Sequence, residues 1–174
     1  MRLFLIVAAI TTLARGEVYL DEKKAAEIVL RGCDSIAREE KAVKPEDRAE
    51  LEKSAALRIP EDRFTTLVGR RAGAVCGYAV ILNEIGKTEP ITFMVGVDAQ
   101  GRVGEVAVMV FREMRGGEVH EPRFTRQFKG KQLKDRIRLN DDIMSYTGAT
   151  MSSEAIARGV KKALAVVAHY YPQP

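Results

Sequence analysis

The chain has 174 residues, with 28 Lys+Arg against 24 Asp+Glu and 46% hydrophobic side chains. A chain of this length buries a core of its own, and its apolar content with only 6 Pro excludes disordered, collagen-like and disulfide-scaffold classes. The formal net charge of +4 points toward nucleic acid only until the cations are located.

Met1-Arg2 is followed by the apolar run Leu3 to Ile10 and by small residues at Ala14 and Gly16. This pattern predicts a secretory signal peptide over residues 1–16, because the run is short for a bilayer and has no polar face. Cleavage there removes Arg2 and Arg15, leaving 26 basic against 24 acidic side chains, a net of +2. An exported chain is expected, periplasmic or at the cell surface, with membrane association left open. Export makes a Cys33–Cys76 disulfide one reading, and two buried small hydrophobes the other. Cys33 does not directly follow the apolar run, so lipidation is not expected. With two cysteines, only His120 and His169, and no CxxC or CxxCH, there is little from which to build a metal or haem site.

The mature part reads as one α+β domain, an antiparallel meander packed with helices. A helical segment is expected over residues 17–67 and the core over 68–174. Asp21 is suited to cap a first helix with Ala25, Ala26, Ile28 and Val29 as its apolar stripe. Pro45 suits the start of a second helix, with Glu46 and Asp47 at its positive end, and Pro60 closes the charge-rich region. Three strands follow at residues 71–82, 90–98 and 102–112, joined by turns at 83–87 and 98–101. In the third, Val106, Val108 and Val110 fall on one face, with Ala107 and Met109 also apolar on the other. Residues 113–140 are polar and irregular, with Phe124 and Phe128 spaced for a short helical turn. Ser152 or Ser153 is expected to open the longest helix, whose apolar face carries Ile156, Val160, Ala163, Leu164 and Val167.

The stretch from Asp141 to Glu154 concentrates small residues, hydroxyls and one glycine immediately before that helix. A helix N-terminus presents unpaired amides and partial positive charge, so it is suited to a phosphate. Gly148 allows a tight backbone turn, and Thr150 places a hydroxyl within reach of an anion held there. An ordinary Ser/Thr helix cap is the simpler reading of this segment taken alone.

At Thr147-Gly148-Ala149-Thr150, followed by Met151-Ser152-Ser153, the sequence resembles the FMN-binding domain family. That family includes the covalently flavinylated subunits of the sodium-pumping NADH:quinone reductase and of the Rnf complex. The resemblance extends through Gly77-Tyr78-Ala79-Val80, Gly86-Lys87, Ile91 to Val95, Phe111 to Glu118, and Phe124 to Gly130, covering roughly residues 68–168. It implies FMN as cofactor, joined through a phosphoester to Thr150 by a flavin transferase that uses FAD. It further implies Thr147, Gly148, Ala149, Ser152 and Ser153 around the phosphate, and Glu113, Arg115, Gly116 and Gln127 around the ring. Many members have an Asp three positions before the first Ser/Thr of the element. Here that position is Met144, with Asp141 and Asp142 slightly farther back.

Tyr146 is expected either to stack on the ring or to lie on the surface, and Phe128 to be pocket wall or core. No nucleophile–base pair or nicotinamide fingerprint stands out, which suits an electron carrier working with membrane or exported redox partner proteins. Two alternatives are carried forward, a non-covalent flavin-binding or sensory domain and an interaction module without cofactor. Lys129, Lys131, Lys134, Arg136 and Arg138 lack interleaved aromatics, so no nucleic-acid partner is expected. They are read as a solvated face or a docking patch for an acidic redox partner.

Overall fold

The computed structural model describes residues 16–172; except for Gly16, the expected signal peptide lies outside the described residues. The domain is built on one six-stranded antiparallel sheet. Its strands are β1 (Glu17–Val18), β2 (Ser35–Ala42), β3 (Arg63–Arg71), β4 (Ala74–Ile85), β5 (Pro90–Asp98) and β6 (Val103–Phe111), in the spatial order β1-β6-β5-β4-β3-β2. From β2 to β6 each strand pairs with the next in sequence, so the expected meander is present and longer than the three strands read from the sequence.

Helices cover both faces of this sheet. On one face α2 (Pro45–Ala55) and the 21-residue α4 (Thr150–Tyr170) pack over Phe93, Val95, Val106 and Val108. On the other, α1 (Glu22–Val29) places Ala25, Ala26 and Val29 against Ala79, Met94, Ala107 and Met109. This two-sided cover explains why β6 is apolar at successive positions, since alternating side chains reach two separate cores. Val110 does not continue the face of Val106 and Val108. An irregularity shifts the register between Thr92 and Phe93, and Val110 joins the α1 side.

Three expectations change at the elements. The stretch 17–67 holds strands as well as helices, because β2 pairs along its whole length with β3 despite its charged sequence. β2 is an edge strand, where charged side chains face water and discourage edge-to-edge pairing. The strand expected from residue 71 begins at Ala74 instead, because Arg71 ends β3 and Ala72 and Gly73, at φ 48° and 82°, turn the chain. β4 also runs on to Ile85, so its turn lies at residues 86–89, closed by Gly86 N–H donating to Glu89 O at 3.0 Å.

Asp21 caps α1 as expected, accepting from the Lys24 amide at 2.7 Å. The short α3 (Pro122–Thr125) and the 3-10 turn after it bury Phe124 and Phe128 edge to face, their ring centroids 5.4 Å apart. Cys33 and Cys76 form a disulfide that crosses over β3 at Gly69, where a Cβ would collide with the Cys33 sulfur. Beneath α4, Lys162 lies 2.6 Å from both Glu61 and Glu84, and Arg158 lies 3.4 Å from Glu84. Glu84 and Lys162 are each 5% exposed, so this is a buried ionic network between helix and sheet. Among the described residues no helix is long and apolar enough to cross a membrane.

Candidate functional site

Three connections converge on the start of α4: the β4–β5 turn, the loop leaving β6, and the segment that ends at Ala149. Together they wall a cavity of about 640 Å3, a size typical of small-molecule and cofactor pockets. Thr150, exposed at the first position of α4, lines it beside Gly148, Ala149 and Ser152. Gly148 has φ 83°, a conformation open to glycine and strained for most other residues, and it delivers the chain into the helix.

The helix opens at Thr150 with buried Ala149 as its N-cap, two residues before Ser152 and three before Ser153, the serines expected to start it. No side chain caps it, so the ordinary Ser/Thr cap does not describe this terminus. The first-turn amides keep their capacity to meet an anion, with the helix dipole adding to the attraction. Ser152 is 3% exposed, and a Cβ on Gly116 would come within 2.9 Å of its hydroxyl oxygen. Gly116, at φ 89°, thereby lets the β6 loop close against the turn before α4. Ser153 is fully buried with an unpartnered hydroxyl and does not line the cavity.

Glu113 is also on the cavity wall, but its carboxylate is turned to the β4–β5 turn. It accepts from the amides of Thr88 and Glu89 at 2.6 and 3.0 Å and from the Thr88 hydroxyl at 3.0 Å. Burial opposes its charge, but these bonds prevail and hold its pKa below the usual glutamate value. Glu113 therefore shapes the turn that carries Lys87. The side chains of Lys87 and Arg115 line the cavity with no partner among the described residues, giving it two cations against the single Glu113 carboxylate. Met114 and Met151 supply exposed apolar surface on the same wall. Thr147 lies in an adjoining cleft of about 430 Å3 with Arg115, Gly116, Gly148 and His120.

Gln127 and Tyr146 are placed elsewhere. The Gln127 amide holds Met144 at both ends, accepting from its N–H at 2.8 Å and donating to its carbonyl at 3.1 Å. Tyr146 donates to Glu121 at 3.0 Å and packs near Phe124, and Phe128 is core. Asp142 accepts from Lys131 at 2.8 Å and from the amides of Ile137 and Arg138 at 3.1 and 2.8 Å. Burial works against its charge, yet these donors bring its pKa down to about 2. Asp141 pairs with Arg136 at 2.7 Å. Both acids are thus engaged in holding the loop that approaches the site.

Sequence reasoning did not single out Lys87, Thr88, Met114 or Met151 as cavity residues. Lys87, Thr88 and Met114 lie near Gly86 and Gly116 in sequence and Met151 follows Thr150, but only β-pairing brings residues 87 and 115 to the same end of the sheet. It also missed a second cavity of about 840 Å3 on the other side of Thr150, walled by the end of α2, residues 134–140 and the first turns of α4.

An uncapped helix start, two free cations and an apolar wall suit a cofactor with a phosphate at one end and a flat ring at the other. Residues 86–165 match the FMN-binding domain family, and that span contains every residue lining the 640 Å3 cavity. The match to this family thus lies in residues 86–165, and the cofactor it supports is FMN. Among curated proteins, one subunit of the Na(+)-translocating ferredoxin:NAD(+) oxidoreductase complex of Acetobacterium woodii is 24% identical over 135 residues. The alignment covers 72% of this chain and 65% of the relative, so the chain spans a little under two thirds of that protein's length.

Proposed function

We propose that the chain is an exported electron carrier whose FMN is bound by a phosphoester to Thr150, installed by a flavin transferase from FAD. The observation that carries this reading is the position of Thr150, an exposed hydroxyl on the cavity wall at the uncapped start of α4. In the transfer a bond forms between the threonine oxygen and the flavin phosphorus, the bond to AMP breaks, and the hydroxyl proton is lost. The bound group supplies the redox chemistry. The protein holds its phosphate at the helix start, meets its negative charge with Lys87 and Arg115, and borders its ring with Met114 and Met151. The Cys33–Cys76 disulfide supports export, since such bonds persist in oxidising compartments. The relative is a subunit of a redox complex, which supports redox proteins at a membrane as the partners.

The test is intact mass after co-expression with a flavin transferase. The expected gain is one FMN less water, absent in Thr150→Ala; a Thr150→Ala chain that stays covalently yellow overturns the assignment. A second reading, non-covalent binding in the same cavity, is favoured by Met144 at the position of the family's Asp and by the engagement of Asp141 and Asp142 in the loop. Acid precipitation separates the two, since non-covalent flavin leaves with the supernatant.

A further inference from the structure

The second cavity lies against α4 and shares Thr150 with the first. Five basic side chains line it: Lys134, Arg136 and Arg138 from the loop, and Arg158 and Lys161 from α4. Against them stand two carboxylates, Asp135 and Glu154. The deep cations are already engaged. Lys161 donates to the carbonyls of Leu133 and Asp135, and burial lowers its pKa. Arg158 donates to the Ile85 carbonyl at 2.8 Å and lies beside Glu84. The rim differs: Arg136 is shared with Asp141, while the side chains of Lys134 and Arg138 are exposed and have no partner among the described residues. Between rim and floor lie apolar side chains, Leu57, Ile137 and Leu139.

A small phosphate entering this cavity would find its deep donors taken. A chain segment with apolar side chains toward the floor and carboxylates toward the rim meets both surfaces at once. We propose that this cavity is a docking groove for an acidic segment of the protein that exchanges electrons with the flavin. The proposal rests on the electron-carrier reading, and it names where the partner sits and by what chemistry it is recognised. Because Thr150 belongs to both cavities, a segment seated here lies directly beside the cofactor's attachment point, and the free rim cations steer its approach.

The probe is an octaglutamate peptide, titrated into the isotope-labelled full chain at low salt and followed by amide chemical shifts. Shifts are expected at residues 55–57, 134–140 and 157–161. The Lys134→Glu/Arg138→Glu double variant is expected to bind roughly tenfold or more weakly, as loss of charge complementarity implies. It should load FMN as the parent does, because neither residue lines the flavin cavity. Shifts mapping elsewhere, or an affinity unchanged by the double variant, overturn the proposal. So does inorganic phosphate producing the same shifts at comparable concentration, which would make the cavity a small-anion site. Link to electron transfer is read from stopped-flow reoxidation of the reduced flavoprotein by ferricyanide, an anionic oxidant. The double variant should lower that rate and flatten its salt dependence, and an unchanged rate overturns the link. Failure of flavin loading in the parent chain defeats the electron-carrier reading and is scored separately from the peptide map.

Discussion

Four hydroxyl residues stand within seven positions of one another at residues 147–153, and their chemistry in isolation is nearly the same. Burial sets the two serines apart, and position separates the two exposed threonines. Thr150 is exposed on the cavity wall, Ser152 is pressed against the β6 loop, Ser153 is sealed in the core, and Thr147 faces the adjoining cleft. Only a reachable oxygen takes part in a transfer reaction, so tertiary position selects among residues that composition leaves equivalent. Asp142 shows the same selection for acids. Its pKa is near 2 in the folded chain against an ordinary 3.8, so the ionised form stabilises the fold above the ordinary value. That contribution is lost as pH falls from about 3.8 to about 2. Urea unfolding between pH 5 and pH 2 is expected to show this decline in the parent chain and a shallower one in Asp142→Asn. Equal slopes in the two chains would show that the loop does not depend on this carboxylate.

At the scale of elements, α4 combines two features with opposite requirements. Under the proposed attachment its start stays uncapped and Thr150 reachable, while the following turns are locked to the sheet. Gly159 permits the lock, since a Cβ there would collide with the Phe93 ring. The Glu61–Lys162–Glu84 network adds an ionic tie in the same layer. Removing the central cation leaves buried Glu84 with only the more distant Arg158 as counter-charge, and Lys162→Met is expected to cost about 3–5 kcal/mol in urea unfolding. The paired change Lys162→Met/Glu84→Leu should recover most of that loss, because the deeply buried carboxylate leaves with its cation and the partners left over, Glu61 and Arg158, are more exposed. A double variant as unstable as the single would assign the effect to packing. β2 teaches a different lesson about elements. Nothing in Ser-Ile-Ala-Arg-Glu-Glu-Lys-Ala alternates strongly, and its strand state comes from the ladder offered by β3. Strand formation at an edge answers to a partner's backbone more than to local side chains.

For the whole molecule, the disulfide joins the segment before β2 to β4, closing a separation of 43 residues. It constrains the unfolded chain across the charge-rich region, where Leu51, Ala55 and Ile59 are the buried residues of the stretch 34–60. The double variant Cys33→Ala/Cys76→Ala is expected to lose about 2–4 kcal/mol, read as a lower urea midpoint. A midpoint equal to the parent's would show that the sheet holds β2 without the bond. The meander, the long terminal helix and the Thr147–Thr150 element were readable because each is a local pattern of period, turn residues or motif. The β2–β3 pair and the cavity lining were not, since they depend on residues distant in sequence.

The sequence by itself determined the α+β class, the length and apolar face of α4, the family resemblance and the segment that bears the candidate attachment threonine. These follow from spacing along the chain, which local sterics and hydrophobic burial translate directly into structure. Tertiary structure alone decided that Glu113 serves the β4–β5 turn, that Gln127 clamps Met144, that Lys87 joins Arg115 on one wall, and that Thr150 stands between two cavities. Sheet register and helix docking bring those groups together, and both are set by contacts between segments that no local window contains.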